Sequence, residues 1–511
     1  MNPFVIAQSR PEAPATIIAE TGETMSYAKL DLTSRRLAAG LRALDLRHGD
    51  HIALMLPNGL WYHPVCWGAW FAGLYFSPIS TRLQQAEVEH IITDSGSTLV
   101  VTAPEYEPLM TLVKAALPHV RHWYTTGPGN EHFAPIQSLI DGAEPLEVAA
   151  DAPIGSDMLY SSGTTGRPKG ILPRLGRTRD EADPLSMLLA RLYGFEAGSV
   201  YLNPAPLYHG SPLKFTMAIH RFGGTNVIMT RFDAEGALAA IDRYEVTQSQ
   251  WVPTMLNRMM RLPDEVKARY DLSSHKAAVH AAAPCPPELK QQLIDWWGPI
   301  LHEFYAGSEA IGFTAITSEE WLQHPGSVGR CVMGEIHIVG ENGEELPIGE
   351  VGEIYFANGP KIAYHNDPEK TAAVTHANGW ITIGDVGRLD EEGYLYLSDR
   401  KDFMIITGGV NVYPKEVEDL LAMHPDVEDV AVFGVPNPDF GEEVKAVVQP
   451  RAWPADEAAF AEALIAYCRE NLSAIKVPRS LDLSQTLPRQ ENGKLYKKVL
   501  RAAYLAKAAA A

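Results

Sequence analysis

Over its first 400 residues the chain alternates short apolar runs with longer helix-like segments. His51-Ile-Ala-Leu-Met-Leu-Pro57 is brief, apolar and closed by a proline, so it reads as a buried strand. Trp61 to Leu74 follows as a mostly apolar helix. Thr98-Leu-Val-Val-Thr102 and Asn226-Val-Ile-Met-Thr230 repeat the strand pattern, and Met158-Leu159-Tyr160 looks like the end of another strand. Strands that alternate with helices pair in parallel and are covered by those helices. There is no fixed-period repeat of the solenoid kind. At 511 residues the chain exceeds one ordinary core, and its length suggests about three.

Near residue 400 the texture changes. Tyr394-Leu-Tyr-Leu-Ser-Asp-Arg-Lys-Asp402 ends dense in charge and leads into Met404-Ile-Ile-Thr-Gly-Gly409. Beyond it, Pro414 to Leu421 reads as a helix with proline in its first turn. Val427 to Val435 reads as a strand region and Asp456 to Asn471 as a second helix. The expected fold is therefore α/β, with a large N-terminal domain of helix-covered, largely parallel sheets over 1–400. A small C-terminal α+β domain would occupy 403–511.

Composition limits the function classes. The apolar fraction of 46% and charged fraction of 21% are those of a soluble globular protein. A net charge of −20 opposes generic binding to nucleic acid or anionic membranes. A local basic pocket can still bind a nucleotide against that field. Cys66, Cys285, Cys331 and Cys468 are far apart in sequence, so no C-x-x-C metal or redox motif exists, and buried reduced thiols fit a cytoplasmic protein. The N-terminus lacks the charged and apolar regions of a signal peptide. No apolar run approaches the roughly 20 residues of a spanning helix. The alanine-rich tail after Tyr504 reads as a helix extension or a frayed end.

The strongest local signal is Tyr160-Ser-Ser-Gly-Thr-Thr-Gly-Arg-Pro-Lys-Gly170. Glycines let the backbone turn its N–H groups toward a phosphate, hydroxyls add donors and Mg²⁺ ligands, and Lys169 adds a mobile cation. A flexible Ser/Thr/Gly linker has the same composition, but a linker rarely grows straight out of a strand. Gly170 stands where a Walker loop needs Ser or Thr, and no G-x-G-x-x-G is present. The segment resembles the signature loop of the adenylate-forming superfamily. That group comprises acyl-CoA synthetases, aryl-CoA ligases, peptide-synthetase adenylation domains and beetle luciferases. The resemblance implies that Ser161, Ser162, Gly163, Thr164, Thr165, Gly166 and Lys169 surround the β- and γ-phosphates of ATP.

Five further segments match the superfamily in order and spacing, over nearly the whole chain. They are Pro206-Leu-Tyr-His-Gly210, Tyr305-Ala-Gly-Ser-Glu309, Ile383-Gly-Asp385, Asp399 to Gly409, and Pro488-Arg-Gln-Glu-Asn-Gly-Lys494. Taken alone, Glu309 is a solvated carboxylate, Asp385 a turn aspartate and Asp402 an exposed linker residue. The resemblance gives each a role. Glu309 would hold Mg²⁺ with Thr164, an ion that takes only one or two protein ligands. Tyr305 would stack on adenine, with Ala282, Ala306, Gly307 and Ser308 around the nucleotide. Asp385 would accept hydrogen bonds from the ribose hydroxyls, and Arg400 would contact the ribose or a phosphate. Asp402 would be the hinge, in a linker at 401–402, about which the small domain swings. Gly408 and Gly409 would meet CoA.

Lys494 follows Asn492-Gly493, a pair that favours a tight turn. On a loop tip its ammonium could enter the site, bridging the carboxylate and the α-phosphate and stabilising transition-state charge. His209 reads alone as a core histidine. The resemblance puts it beside the carboxylate, as a positioning group, since a carboxylic acid needs no base at neutral pH. Two departures stand out. Ala281-Ala-Ala-Pro284 replaces the usual Gly-Gly-Ala-Pro-like segment, and Ala306 and Ser308 replace glycine and threonine.

The acyl pocket is expected from His209, Lys214, Trp251, His280 and Phe313, with Phe215, Pro253 and Met255 near them. These are mostly large and apolar, as are ordinary core residues. No aspartate lies in Leu207 to Ser211 to meet a substrate ammonium. The expected activity is an acyl-CoA synthetase using ATP, Mg²⁺ and CoA on a medium-chain, branched or aryl-bearing acid. An acyl-adenylating enzyme that loads a carrier protein is the alternative, and a nucleotide-binding scaffold the non-enzymatic one. Lys214 could meet a second polar group on the acid. A homodimer is a possible assembly.

Overall fold

The computed structural model describes residues 2–161, 168–400, 403–407, 410–489 and 495–510, without the side chains of 399, 400 and 507–510. The chain divides into two compact bodies. One comprises Met1–Trp251, Leu262–Val279 and Lys361–Ala373, the other Val252–Arg261, His280–Pro360 and Val374–Ala511.

The first body carries the parallel sheets that the alternation predicts. Its six-stranded sheet runs Ala134–Pro135, His122–Thr125, Leu99–Thr102, His51–Met55, Tyr75–Pro78, Ser156–Asp157, and every pairing is parallel. Tyr75–Pro78 and Leu99–Thr102 are buried at each position, as strands covered on both faces must be. The helix Tyr62–Ala72 is buried all round, which explains why its sequence shows no polar face. A second set orders Gln248–Trp251, Val200–Asn203, Thr225–Ile228 and Pro14–Ile18 in parallel, with the short Thr24–Ser26 antiparallel at the edge. Trp67, Phe71, Phe76, Leu30 and Leu37 meet in the larger core of this body.

The second body is mainly antiparallel. Glu335–Val339, Gly352–Ala357, Ile381–Leu389 and Leu395–Arg400 form a four-stranded sheet. Leu301–Tyr305 pairs with Phe313–Ile316, which pairs with Arg330–Met333. The C-terminal residues build a further sheet in which Val427–Asn437 and Gly441–Pro450 form a long hairpin and Ser480–Leu483 adds in parallel. Helices Pro414–Ala422 and Glu457–Asn471 cover a core that includes Val417, Leu421, Val432, Val444 and Leu464. Asp456 caps the second of these helices by accepting from the Ala459 N–H at 3.0 Å. Both helices and the hairpin strand begin within a residue of their expected starts. The expected domain linker at 401–402 lies outside the described residues. Among the described residues no helix is long and apolar enough to cross a membrane.

Candidate active site

In the first body the glycine-rich segment is flanked by two strands. Leu159–Ser161 and Lys169–Ile171 pair antiparallel, with Ser161 opposite Lys169. Ser162, Gly163, Thr164, Thr165 and Gly166 lie outside the described residues. Lys169 is half-buried, its ammonium 5.9 Å from the centre of the Tyr364 ring. His209 occupies the N-cap position of the helix Gly210–Phe222, with its ring centre 4.6 Å from that of Tyr208. A Cβ on Gly210 would come within 2.6 Å of the Leu159 side chain. Glycine at that position lets His209 and the helix start close against the strand leading to Ser161. Sequence and fold thus bring Ser161, Lys169 and His209 into one neighbourhood.

Two acyl-pocket candidates of this body are already engaged. Lys214 donates to Asp157 Oδ2 at 2.8 Å, with both side chains partly shielded. Trp251 is 1% exposed, and its indole donates to Ser249 Oγ at 2.5 Å. Next to it, the Gln250 amide donates to Ser211 Oγ and so ties the strand end to the start of the His209 helix.

In the second body Tyr305 ends the strand Leu301–Tyr305 and Asp385 lies on Ile381–Leu389. The Tyr305 hydroxyl donates to Asp385 Oδ2 at 2.7 Å across 80 residues of sequence. A carboxylate can accept about four hydrogen bonds, so it can hold Tyr305 and still accept from a ligand hydroxyl. Gly384 precedes Asp385 with φ +81°, and its N–H is held by Thr382 Oγ1 at 2.9 Å, which fixes the turn. Ala306, Gly307 and Ser308 lead from Tyr305 to a half-buried Glu309. A Cβ on Gly307 would lie 2.7 Å from Glu309 Oε2 and 3.1 Å from the Ile383 side chain. Its absence lets the tyrosine loop and the Ile383–Asp385 turn approach each other.

Behind this loop lies a buried charge cluster that the motif analysis missed. Glu303, two residues before Tyr305, meets Lys290 of the helix Pro287–Trp297 at 2.6 Å. His280 Nε2 is 3.5 Å from the same Glu303 oxygen. Burial holds His280 neutral, pushing its pKa down to about 3 although Glu303 pulls the other way. Burial alone would raise the Glu303 pKa. Lys290, foremost among the surrounding cations, reverses that and brings it below its ordinary 4.5. The two residues were legible only as a helix lysine and a strand glutamate, 13 positions apart. Ala282 follows with φ +75°, a left-handed conformation that the superfamily's usual glycine takes freely and an alanine strains. Phe313 is buried and stacks on Phe304, ring centres 4.8 Å apart.

Arg400 pairs through its backbone with Asp385 in the sheet, its side chain being outside the description. Asp402, Gly408, Gly409 and Lys494 also lie outside the described residues. Among the described residues no group of three or more His, Cys, Asp or Glu side chains could hold a metal ion. Glu309 offers one hard carboxylate, a donor set that suits Mg²⁺ bound mainly through phosphates and water.

Comparison with known proteins identifies the family. Residues 4–363 match the AMP-binding enzyme family and residues 416–494 its C-terminal domain. The chain is 32% identical to a feruloyl-CoA synthase from an Amycolatopsis species, over 98% of both chains. It is 31% identical to the long-chain-fatty-acid–CoA ligase FadD13 of Mycobacterium tuberculosis, over 97% of this chain and 96% of the relative. The crystal structure of ATP-bound MatB from Rhodopseudomonas palustris superposes with a TM-score of 0.82 at 27% identity, covering 99% of each chain. The chain therefore belongs to the AMP-binding enzyme family, within the adenylate-forming superfamily. Within that family it is an AMP-forming carboxylate–CoA ligase.

Proposed function

We propose that the enzyme activates a hydrophobic carboxylic acid, medium-chain, branched or aryl-bearing, and transfers it to CoA. The observation that carries the nucleotide half of this reading is the Tyr305–Asp385 hydrogen bond. It holds an aromatic ring and a carboxylate together, the pair of groups that a purine and a ribose diol require. Ser161 and Lys169 supply hydroxyl and cation to the phosphates.

In the first step a substrate carboxylate oxygen attacks the α-phosphorus of ATP. The bond to the β-phosphate oxygen breaks, and pyrophosphate leaves with that electron pair. Lys494 touches both anions and offsets the charge that builds between them. His209 orients the carboxylate. Glu309 and Thr164 would hold Mg²⁺, which offsets charge on the departing pyrophosphate. In the second step the CoA thiol loses its proton and attacks the acyl carbonyl, and AMP leaves. A hinge at Asp402 would let the segment at Gly408–Gly409 serve this second step.

The apolar preference is supported by the bulk of the residues around His209 and by the lack of an aspartate in Leu207–Ser211. Feruloyl and long-chain fatty acyl groups, named for the two curated relatives, are both largely apolar. Pyrophosphate release across acetate, medium-chain, branched, aryl and α-amino acids tests the assignment. Turnover confined to the three apolar groups is expected. A preference for acetate or an amino acid would contradict it.

A further inference from the structure

We propose that Tyr160, His90 and Asp94 are positioning residues for ATP: they fix the strand pair that presents Ser161 and Lys169, and so set nucleotide affinity. This rests on the reading of Ser161 and Lys169 as phosphate contacts. The two strands are short, three residues each, and a two-stranded ribbon has little stability of its own. Something outside it must hold it in place.

The helix Gln85–Ser95 does so with two side chains one turn apart. His90 Nε2–H donates to the Pro168 carbonyl at 2.9 Å, on the residue just before Lys169. Asp94 Oδ2 accepts from the Tyr160 hydroxyl at 2.7 Å, on the residue just before Ser161. Positions i and i+4 share a helix face, so one rigid element grips both strands next to their functional residues. Burial, with Asp94 opposite, holds the Tyr160 phenol well above its ordinary pKa and keeps it a donor.

A second brace completes the frame. The Asn366 amide donates to the Asp94 carbonyl at 3.1 Å. The His365 N–H donates to the Gly170 carbonyl at 2.8 Å, and Tyr364 lies beside the Lys169 ammonium. Asp94 is thus shared by the ribbon and the 361–373 segment. Tyr160 also packs against the apolar cluster that holds Val88, Ile91 and Ile92 of this helix, and the directional bonds at both strands add fixed separation and orientation to that contact.

MgATP binding by isothermal titration calorimetry tests this on the full chain without knowledge of the acid. The variants are Tyr160→Phe, His90→Ala and His90→Gln, each checked for wild-type melting behaviour. Removing one such bond is expected to weaken Kd about fivefold. His90→Gln keeps an amide donor and should recover part of the loss, which a merely structural role would not produce. Should Tyr160→Phe fail to fold, the two His90 variants decide. Folded variants that bind within about twofold of wild type overturn the inference while the ligase reading stands. A wild-type chain that does not bind MgATP overturns both.

Discussion

Replacing Lys290 with methionine isolates the energy of one buried charge. The side chain is 1% exposed and its ammonium is 2.6 Å from Glu303 Oε2, with the Trp321 ring 5.0 Å away. Methionine keeps most of the stem's volume and removes the charge. Glu303 then stays buried beside a neutral His280, with Lys415 only a weaker attraction. Breaking a buried pair in this way costs about 3–5 kcal/mol. At roughly 2–4 °C per kcal/mol, the melting temperature should fall by roughly 6–20 °C. Glu303→Gln in the same chain removes the stranded charge and should restore most of the loss. The pH dependence gives a second check. In the wild type the Glu303 pKa is depressed, so its contribution is present above the ordinary 4.5 and fades as pH falls through the folded value. Without Lys290, burial raises the pKa instead, and protonation relieves the cost. The deficit of the variant should therefore be largest near about pH 7 and narrow toward about pH 5. A melting temperature within about 2 °C of wild type, or a deficit independent of pH, would refute the argument.

Three shorter predictions concern the nucleotide site and the buried thiols. Asp385→Asn weakens acceptance from the ribose and from Tyr305, so the KM for ATP should rise by roughly tenfold or more while the KM for the acid holds; equal ATP kinetics would remove the ribose assignment. Lys494→Ala should slow adenylate formation by about 10²–10³-fold with ATP binding largely retained, read by single-turnover kinetics; an unchanged rate would place the catalytic cation elsewhere. Cys66 and Cys468 are buried and free, and burial raises both thiol pKa values, that of Cys468 to about 11. Both should resist a thiol reagent at neutral pH until denaturant is added, and rapid labelling of either would contradict their burial.

The parallel sheets were legible because strands such as Leu99–Thr102 are covered on both faces and must be apolar throughout. The helix at 62–72 was legible for the same reason, and its end at Gly73 needed no more than a glycine in a left-handed turn. Motif spacing found Tyr305 and Asp385, but not that they bond to each other, since a contact across 80 residues leaves no local pattern. Lys290 and Glu303 sit on amphipathic elements whose polar positions normally face water, so their pairing was invisible. His90 and Asp94 were missed because their helix carries no motif and acts on strands more than 60 residues away. Size and apolarity marked Trp251 and Phe313 as pocket candidates, yet both properties are shared with the core in which they are buried.

AMP release with the best acid of the panel, measured with and without CoA, tests the central claim most directly. The account predicts acid-dependent pyrophosphate release, strong stimulation of AMP release by CoA, and one acyl-CoA formed per AMP. Acid-dependent pyrophosphate release that CoA leaves unchanged, with no thioester formed, would contradict the ligase reading and direct the acyl group to another acceptor such as a carrier protein.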